Sequence, residues 1–174
     1  MKNISGLAKT YLKYKDFICP QSNEVSNFVS LYKTKLLEGE EPAKIASLVK
    51  FIYQNRTLWN KLFYEHNHFK DWGECFVQSL SLCAVLRSLG YNKEEVYVIV
   101  TCHRGELFEK ALHASVIAFE NGWYSVDLTK TSPLEAVWHI GTPDTLLKTN
   151  PFICLFNDIH SYISGGSFND YQRL

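Results

Sequence analysis

Residues 112–129 read Leu112-His113-Ala114-Ser115-Val116-Ile117-Ala118-Phe119-Glu120-Asn121-Gly122-Trp123-Tyr124-Ser125-Val126-Asp127-Leu128-Thr129. Two runs rich in β-branched and aromatic side chains, 112–119 and 123–129, flank Glu120-Asn121-Gly122, the pattern of a β-hairpin. Side chains alternate along a strand, so His113, Ser115, Ile117 and Phe119 share one face. The turn decides which face Asp127 takes. A two-residue loop at Asn121-Gly122 sends His113 and Asp127 to opposite faces. A three-residue loop, Glu120-Asn121-Gly122, pairs Phe119 with Trp123 and Ser115 with Asp127, which leaves His113 diagonal to Asp127. Such loops place a residue of positive φ third, and Gly122 stands there. Diagonal neighbours lie roughly 7–8 Å apart at Cβ, a span that a histidine–carboxylate hydrogen bond can close.

Upstream of the hairpin, Glu95-Val96-Tyr97-Val98-Ile99-Val100-Thr101 reads as a further strand, and residues 75–89 as an apolar helix ended by Gly90. Before that the chain is helical. Ile4, Leu7, Tyr11 and Leu12 fall at helical spacing within 4–16. Ser22-Asn23-Glu24 caps a helix running to about Leu37, with Val25, Phe28, Val29 and Tyr32 on one face and Gly39 as its stop. Pro42 suits a first turn, and Ile45, Leu48, Val49, Ile52 and Tyr53 carry the same period to about Leu62. Helices followed by antiparallel strands define an α+β class. We expect one domain over 1–174, with a helical N-terminal part (1–64), a core (65–130) and a C-terminal extension (131–174) punctuated by Pro133, Gly141-Thr142-Pro143 and Asn150-Pro151. Ser164-Gly165-Gly166-Ser167 reads as a turn, because a phosphate-binding loop also needs its lysine and flanking strand.

Hydrophobic residues make up 46% of the 174, aromatics 14%, and formal net charge is zero. That composition supports a buried core and supplies no positive field for nucleic acid or a membrane surface. No apolar run reaches the ~18–20 residues of a membrane span. Met1-Lys2-Asn3-Ile4-Ser5-Gly6 lacks a signal peptide's apolar stretch, so the expected location is cytoplasmic. The five cysteines, Cys19, Cys75, Cys83, Cys102 and Cys154, form no C-x-x-C pair and read as free thiols.

Cys75 is the cysteine with a chemical signature. Gly73-Glu74-Cys75 directly precedes the apolar helix, which sets the thiol at a helix N-terminus where the dipole and unpaired N–H groups favour thiolate. Gly73 lets the backbone pass tightly beside a substrate carbonyl, and the helix end offers its own N–H to an oxyanion. Cys83, two turns further on, reads as a small buried hydrophobe. With His113 as base and Asp127 fixing its orientation, Cys75 completes a nucleophilic triad that attacks an acyl carbon and forms a thioester.

These residues resemble a known family. Gly73-Glu74-Cys75 and the helix ending Arg87-Ser88-Leu89-Gly90 resemble the G-x-C helix of the transglutaminase-like superfamily. His113-Ala114-Ser115 resembles its H-A-W strand, and Gly122-Trp123-Tyr124-Ser125-Val126-Asp127-Leu128-Thr129 its G-W-x-x-V-D-P-T strand. The likeness covers about residues 72–130. It implies a papain-like core and a catalytic Cys75, His113 and Asp127. It also implies a cysteine protease, amidase or transglutaminase-like enzyme that acts on a peptide or protein amide without a cofactor. The chain departs from the pattern at Val77, where an acidic residue is common, at Ser115 for the tryptophan, and at Leu128 for the proline. The alternative that the departures keep open is a catalytically silent interaction domain that kept the fold. A third reading is arylamine N-acetyltransferase, which has the same triad, but the chain lacks that family's R-G-G-x-C-F and V-D-V-G-F-G blocks.

Other clusters carry less. Cys102-His103 and His66-Asn67-His68 lack the paired short spacings of a zinc site, so no metal is expected; His66 and His68 suit a cleft wall instead. Trp72, Gly73 and Glu74, beside the nucleophile, are expected to line the substrate cleft. Gln54, Asn55 and Trp59 are open choices for an oxyanion donor, and the aromatic run Phe51-Tyr53-Trp59-Phe63-Tyr64 reads as core at helical spacing.

Overall fold

The computed structural model describes residues 11, 13–36, 44–64, 73–102, 112–142, 152–163 and 172–173. Gly39, Pro42, His66, His68, Trp72, His103, Pro143, Asn150-Pro151 and the 164–167 turn lie outside them, as do most of 4–16. Within 4–16 the described part includes a 3-10 helix, Lys13–Phe17.

The N-terminal layer holds α1 (Asn23–Lys35), α2 (Ile45–Gln54) and α3 (Arg56–Phe63). Ser22 caps α1 as its sequence proposes: its Oγ accepts from the Val25 N–H at 3.3 Å, satisfying one of the donors a helix start leaves unpaired. The helix expected to run unbroken to about Leu62 is instead two. At Asn55 the backbone leaves helical geometry (φ −119°, ψ 34°), and the Asn55 side-chain amide donates back to the Phe51 carbonyl at 2.9 Å. Asparagine competes with the helix ladder by such local bonds, and apolar periodicity does not register them.

Next comes α4 (Glu74–Ser88), every residue of which from Phe76 to Leu86 is buried. It packs on the sheet on one side and on α1 and α3 on the other. Its end is a Schellman motif, with the Tyr91 N–H bonded to the Leu86 carbonyl at 3.2 Å and the Gly90 N–H to the Arg87 carbonyl at 3.2 Å. The strands are β1 (Val96–Cys102), β2 (Leu112–Phe119), β3 (Trp123–Val126), β4 (Val137–Gly141), β5 (Phe152–Phe156), β6 (Ser161–Ile163) and the two-residue β7 (Gln172–Arg173); the short α5 (Pro133–Ala136) precedes β4. Their order is β4-β3-β2-β1-β5-β6-β7, and each pairing is antiparallel. The class is α+β.

The main core lies between α4, the helical layer and one face of the sheet. It includes Phe28, Tyr32, Leu48, Ile52, Trp59, Leu82, Leu86, Val98, Val116 and Phe156. The aromatic run falls partly here: Trp59 stacks edge-on against Phe28 at 4.9 Å and packs against Phe63 at 4.5 Å. The alternate residues of the strands build a smaller cluster of Tyr97, Ile99, Ile117, Ile140 and Leu155. Among the described residues no helix is long and apolar enough to cross a membrane.

Candidate active site

The hairpin register is the three-residue one: Phe119 pairs with Trp123 and Val116 with Val126. The tip differs in detail. Asn121 takes the left-handed conformation (φ 56°), and the Glu120 N–H bonds to the Gly122 carbonyl at 2.8 Å. Gly122 does take the positive φ expected of it (156°), and a Cβ there would also lie 2.7 Å from His139 Nε2. Register alone sets which side chains meet, so the His113–Asp127 pairing survives the different tip.

Asp127 lies one residue beyond β3 rather than inside a strand running to 129. Its N–H bonds to the Ala136 carbonyl at 2.8 Å, and its carboxylate folds into a turn. Oδ1 accepts from the Thr129 N–H at 3.0 Å and from Thr129 Oγ1 at 2.6 Å. Oδ2 lies 2.9 Å from His113 Nε2. Asp127 is nearly buried, with 3% of its side chain exposed against 27% for His113. Burial alone raises the Asp127 carboxyl. The bonds from His113 and Thr129, with the imidazolium charge, outweigh it and hold the carboxyl down at about 2.

Cys75 sits in the first turn of α4, half-buried, with its thiol close enough to the His113 ring for each group to shift the other's titration. Nε2 faces Asp127, which leaves Nδ1 as the ring nitrogen open to the thiol. The His113 imidazole is raised to about 9, first by its bond to Asp127 and then by its bond to Cys75, against burial. Burial pushes the Cys75 thiol up. The hydrogen bond to His113, a backbone bond from Ala114 and the His113 charge then carry it below its ordinary value, although the Asp127 charge opposes them. Both shifts favour a thiolate–imidazolium pair.

Gly73 is the N-cap of α4 at φ 82° and ψ 145°, a conformation that side chains disfavour. A Cβ there would meet nothing within 4 Å, so the glycine answers to the bend of the backbone and not to a tight passage. Glu74 is exposed and lies 3.4 Å from Arg56 Nη2. Trp72 is outside the described residues. Two of the three oxyanion choices have their donors committed: Asn55 Nδ2 to the Phe51 carbonyl, and the buried Trp59 Nε1 to Gln78 Oε1. Gln54 borders a separate cavity with Tyr32, Lys35 and Lys50. The Phe76 and Val77 N–H groups of α4 bond the Gly73 carbonyl at 3.3 and 3.4 Å, so the candidates for an oxyanion at this helix start are the N–H groups of Glu74 and Cys75.

Sequence reasoning missed three residues around Asp127. Thr129 had a local signal, since an Asp followed two residues later by Thr is an Asx-turn pattern. Tyr53 and Arg56 had none. The Tyr53 hydroxyl donates to the Lys130 carbonyl at 2.7 Å, and Arg56 Nη2 to the Leu128 carbonyl at 2.9 Å, across separations of 77 and 72 residues. A cavity of about 620 Å³ lies elsewhere, between α1, α3 and α4, lined by Phe17, Cys19, Val25, Phe63, Val77 and Leu80 among others and by no triad residue.

No family model, curated protein or solved structure matches the chain.

Proposed function

We propose that the chain is a thiol-dependent acyl-transfer enzyme of the transglutaminase-like, papain-like kind, acting on a peptide or protein amide. The observation that carries this reading is the single His113 ring shared between the Cys75 thiol at a helix start and the Asp127 carboxylate 2.9 Å away. Supporting it, Cys75 is lowered and His113 raised, which is the polarity nucleophilic attack needs at neutral pH.

Catalysis on this reading runs through a thioester. Asp127 fixes the tautomer by holding Nε2–H, so Nδ1 carries the proton taken from Cys75. The Cys75 sulfur forms a bond to the acyl carbon, and the Glu74 and Cys75 N–H groups at the α4 start serve the oxyanion. Collapse breaks the C–N bond, His113 returns its proton to the leaving amine, and a thioester remains. Water, or a second amine, gives a proton to His113 and displaces the Cys75 thiolate.

Iodoacetamide labels one fast site in the wild type, and Cys75→Ala removes both that site and any amidase activity. Faster labelling at Cys83 or Cys102 with Cys75 inert sinks the proposal. Mass spectrometry of candidate proteins incubated with and without an added amine separates hydrolysis from transfer. A fast Cys75 that never forms a thioester with any amide donor points to the silent interaction domain instead.

A further inference from the structure

Arg56 sits where two active-site segments meet. It is the first residue of α3, far from Cys75 and Asp127 in sequence. Its Nη2 reaches the carbonyl of Leu128, the residue after Asp127, at 2.9 Å, and the carboxylate of Glu74, the residue before Cys75, at 3.4 Å. Its guanidinium carbon lies 5.4 Å from the centre of the Tyr53 ring, and the Tyr53 hydroxyl holds the Lys130 carbonyl at 2.7 Å. Two carbonyls of the four-residue Asp127–Lys130 turn are therefore gripped from the helical layer.

That turn aims the carboxylate. Asp127 Oδ1 is fixed by Thr129, so the direction of Oδ2 toward His113 follows the path of the backbone through Leu128 and Lys130. The charge nearby offers an alternative geometry, because Lys130 Nζ lies 3.6 Å from Asp127 Oδ2 and competes with His113 for it. A turn free to shift would exchange the imidazole for the lysine.

Stability alone accounts poorly for Arg56. Its Nη1 is buried with no hydrogen-bond partner among the described residues, a state that costs folding free energy and that an apolar side chain would avoid. Both bonds leave the single nitrogen Nη2, while the flat guanidinium lies beside the Tyr53 ring, a pairing of contacts that a lysine ammonium reproduces only in part.

We propose that Arg56 is a positioning residue for the His113–Asp127 pair, locking the Asp127 turn to the helix end that bears Cys75. The inference rests on the acyl-transfer reading above for its functional meaning. Its test is the titration of the His113 ring, followed by NMR on the full chain and assigned with His113→Ala. In the wild type the midpoint should lie well above 6.5, at about 9. Arg56→Met should lower it by half a unit or more and slow Cys75 alkylation at pH 7 about threefold. Arg56→Lys should give an intermediate shift. In the Asp127→Asn background, Arg56→Met should produce no further change, because the carboxylate it positions is gone.

An unmoved His113 midpoint in a folded Arg56→Met chain with lowered Tm overturns the proposal, as does a full additional shift in the double variant. If Arg56→Met does not fold, Tyr53→Phe removes the second grip alone and must lower the midpoint in the same direction; no shift overturns the proposal. Absence of fast Cys75 labelling in the wild type defeats the acyl-transfer reading whatever the Arg56 variants show. Fast labelling with an unmoved His113 defeats the positioning role alone.

Discussion

Cys75 and Cys83 lie on one face-to-face-buried helix, two turns apart, and carry the same functional group in opposite states. Cys83 is fully buried, and burial pushes its thiol far up, so it behaves as a hydrophobe. Cys75 is half-buried at the helix start and is drawn down by His113 and Ala114 despite its burial. The far end of α4 repeats the contrast in another form. Arg87 Nε pairs with Asp158 Oδ1 at 2.7 Å and Nη1 with the Tyr91 carbonyl at 2.5 Å, a closed set of bonds that ties the helix to the β5–β6 turn. One end of the helix is locked by satisfied partners, and the other presents N–H groups and a polarised thiol. The state of the thiol is therefore set by where on α4 the sulfur sits and not by cysteine itself.

The largest test puts the same charge at both positions. Cys83→Asp should cost about 3–5 kcal/mol in chemical denaturation at pH 7, since it buries an unpaired carboxylate. Cys75→Asp should cost under about 1 kcal/mol, because the His113 imidazolium can pair with it. Equal losses would erase the distinction between the two sites.

The next test concerns pH. Asp127 sits at about 2 when folded against 3.8 ordinarily, so its contribution is present above pH 3.8 and disappears as pH falls toward 2. The difference corresponds to about 2 kcal/mol. His113 is raised from 6.5 to about 9, so its contribution is present below pH 6.5 and is lost as pH rises through 9. Denaturation curves of the wild type should therefore show stability falling at both ends. Asp127→Asn should flatten both falls and slow Cys75 alkylation roughly tenfold or more. A variant with the wild-type pH profile would mean that the pair contributes nothing.

The smallest of the three tests is at the cap. Gly73→Ala should cost about 1–2 kcal/mol from the positive φ alone, since the added Cβ meets open space. A larger loss in thermal unfolding would show that the α4 start is constrained by something beyond its backbone bend.

Much of this was legible along the chain. The hairpin parity depends only on a three-residue turn between two alternating strands, and the observed Phe119–Trp123 pairing reproduces it. The Ser22 cap, the burial of Val25, Phe28, Val29 and Tyr32, and the Schellman stop at Gly90 likewise follow from residues within a turn or two of one another. The break at Asn55 escaped because period 3.6 continues through it in the side chains while the backbone does not. The tip conformation at Asn121 escaped because register leaves the turn's dihedrals open.

What the sequence by itself determined is local: a cysteine at a helix start, a hairpin whose turn permits a histidine and an aspartate to share a face, and an α+β order of elements. Periodicity, capping and turn length act over a few residues, and these features need no more. Only the tertiary structure decided that Cys75 and His113 touch, that Thr129 and Arg56 hold the Asp127 turn, and that Cys83 is shut away from water. Apart from the neighbouring Thr129, those contacts join residues far apart in the chain. They exist because α4 is buried between two layers, and packing between layers leaves no periodic trace in the residues it brings together.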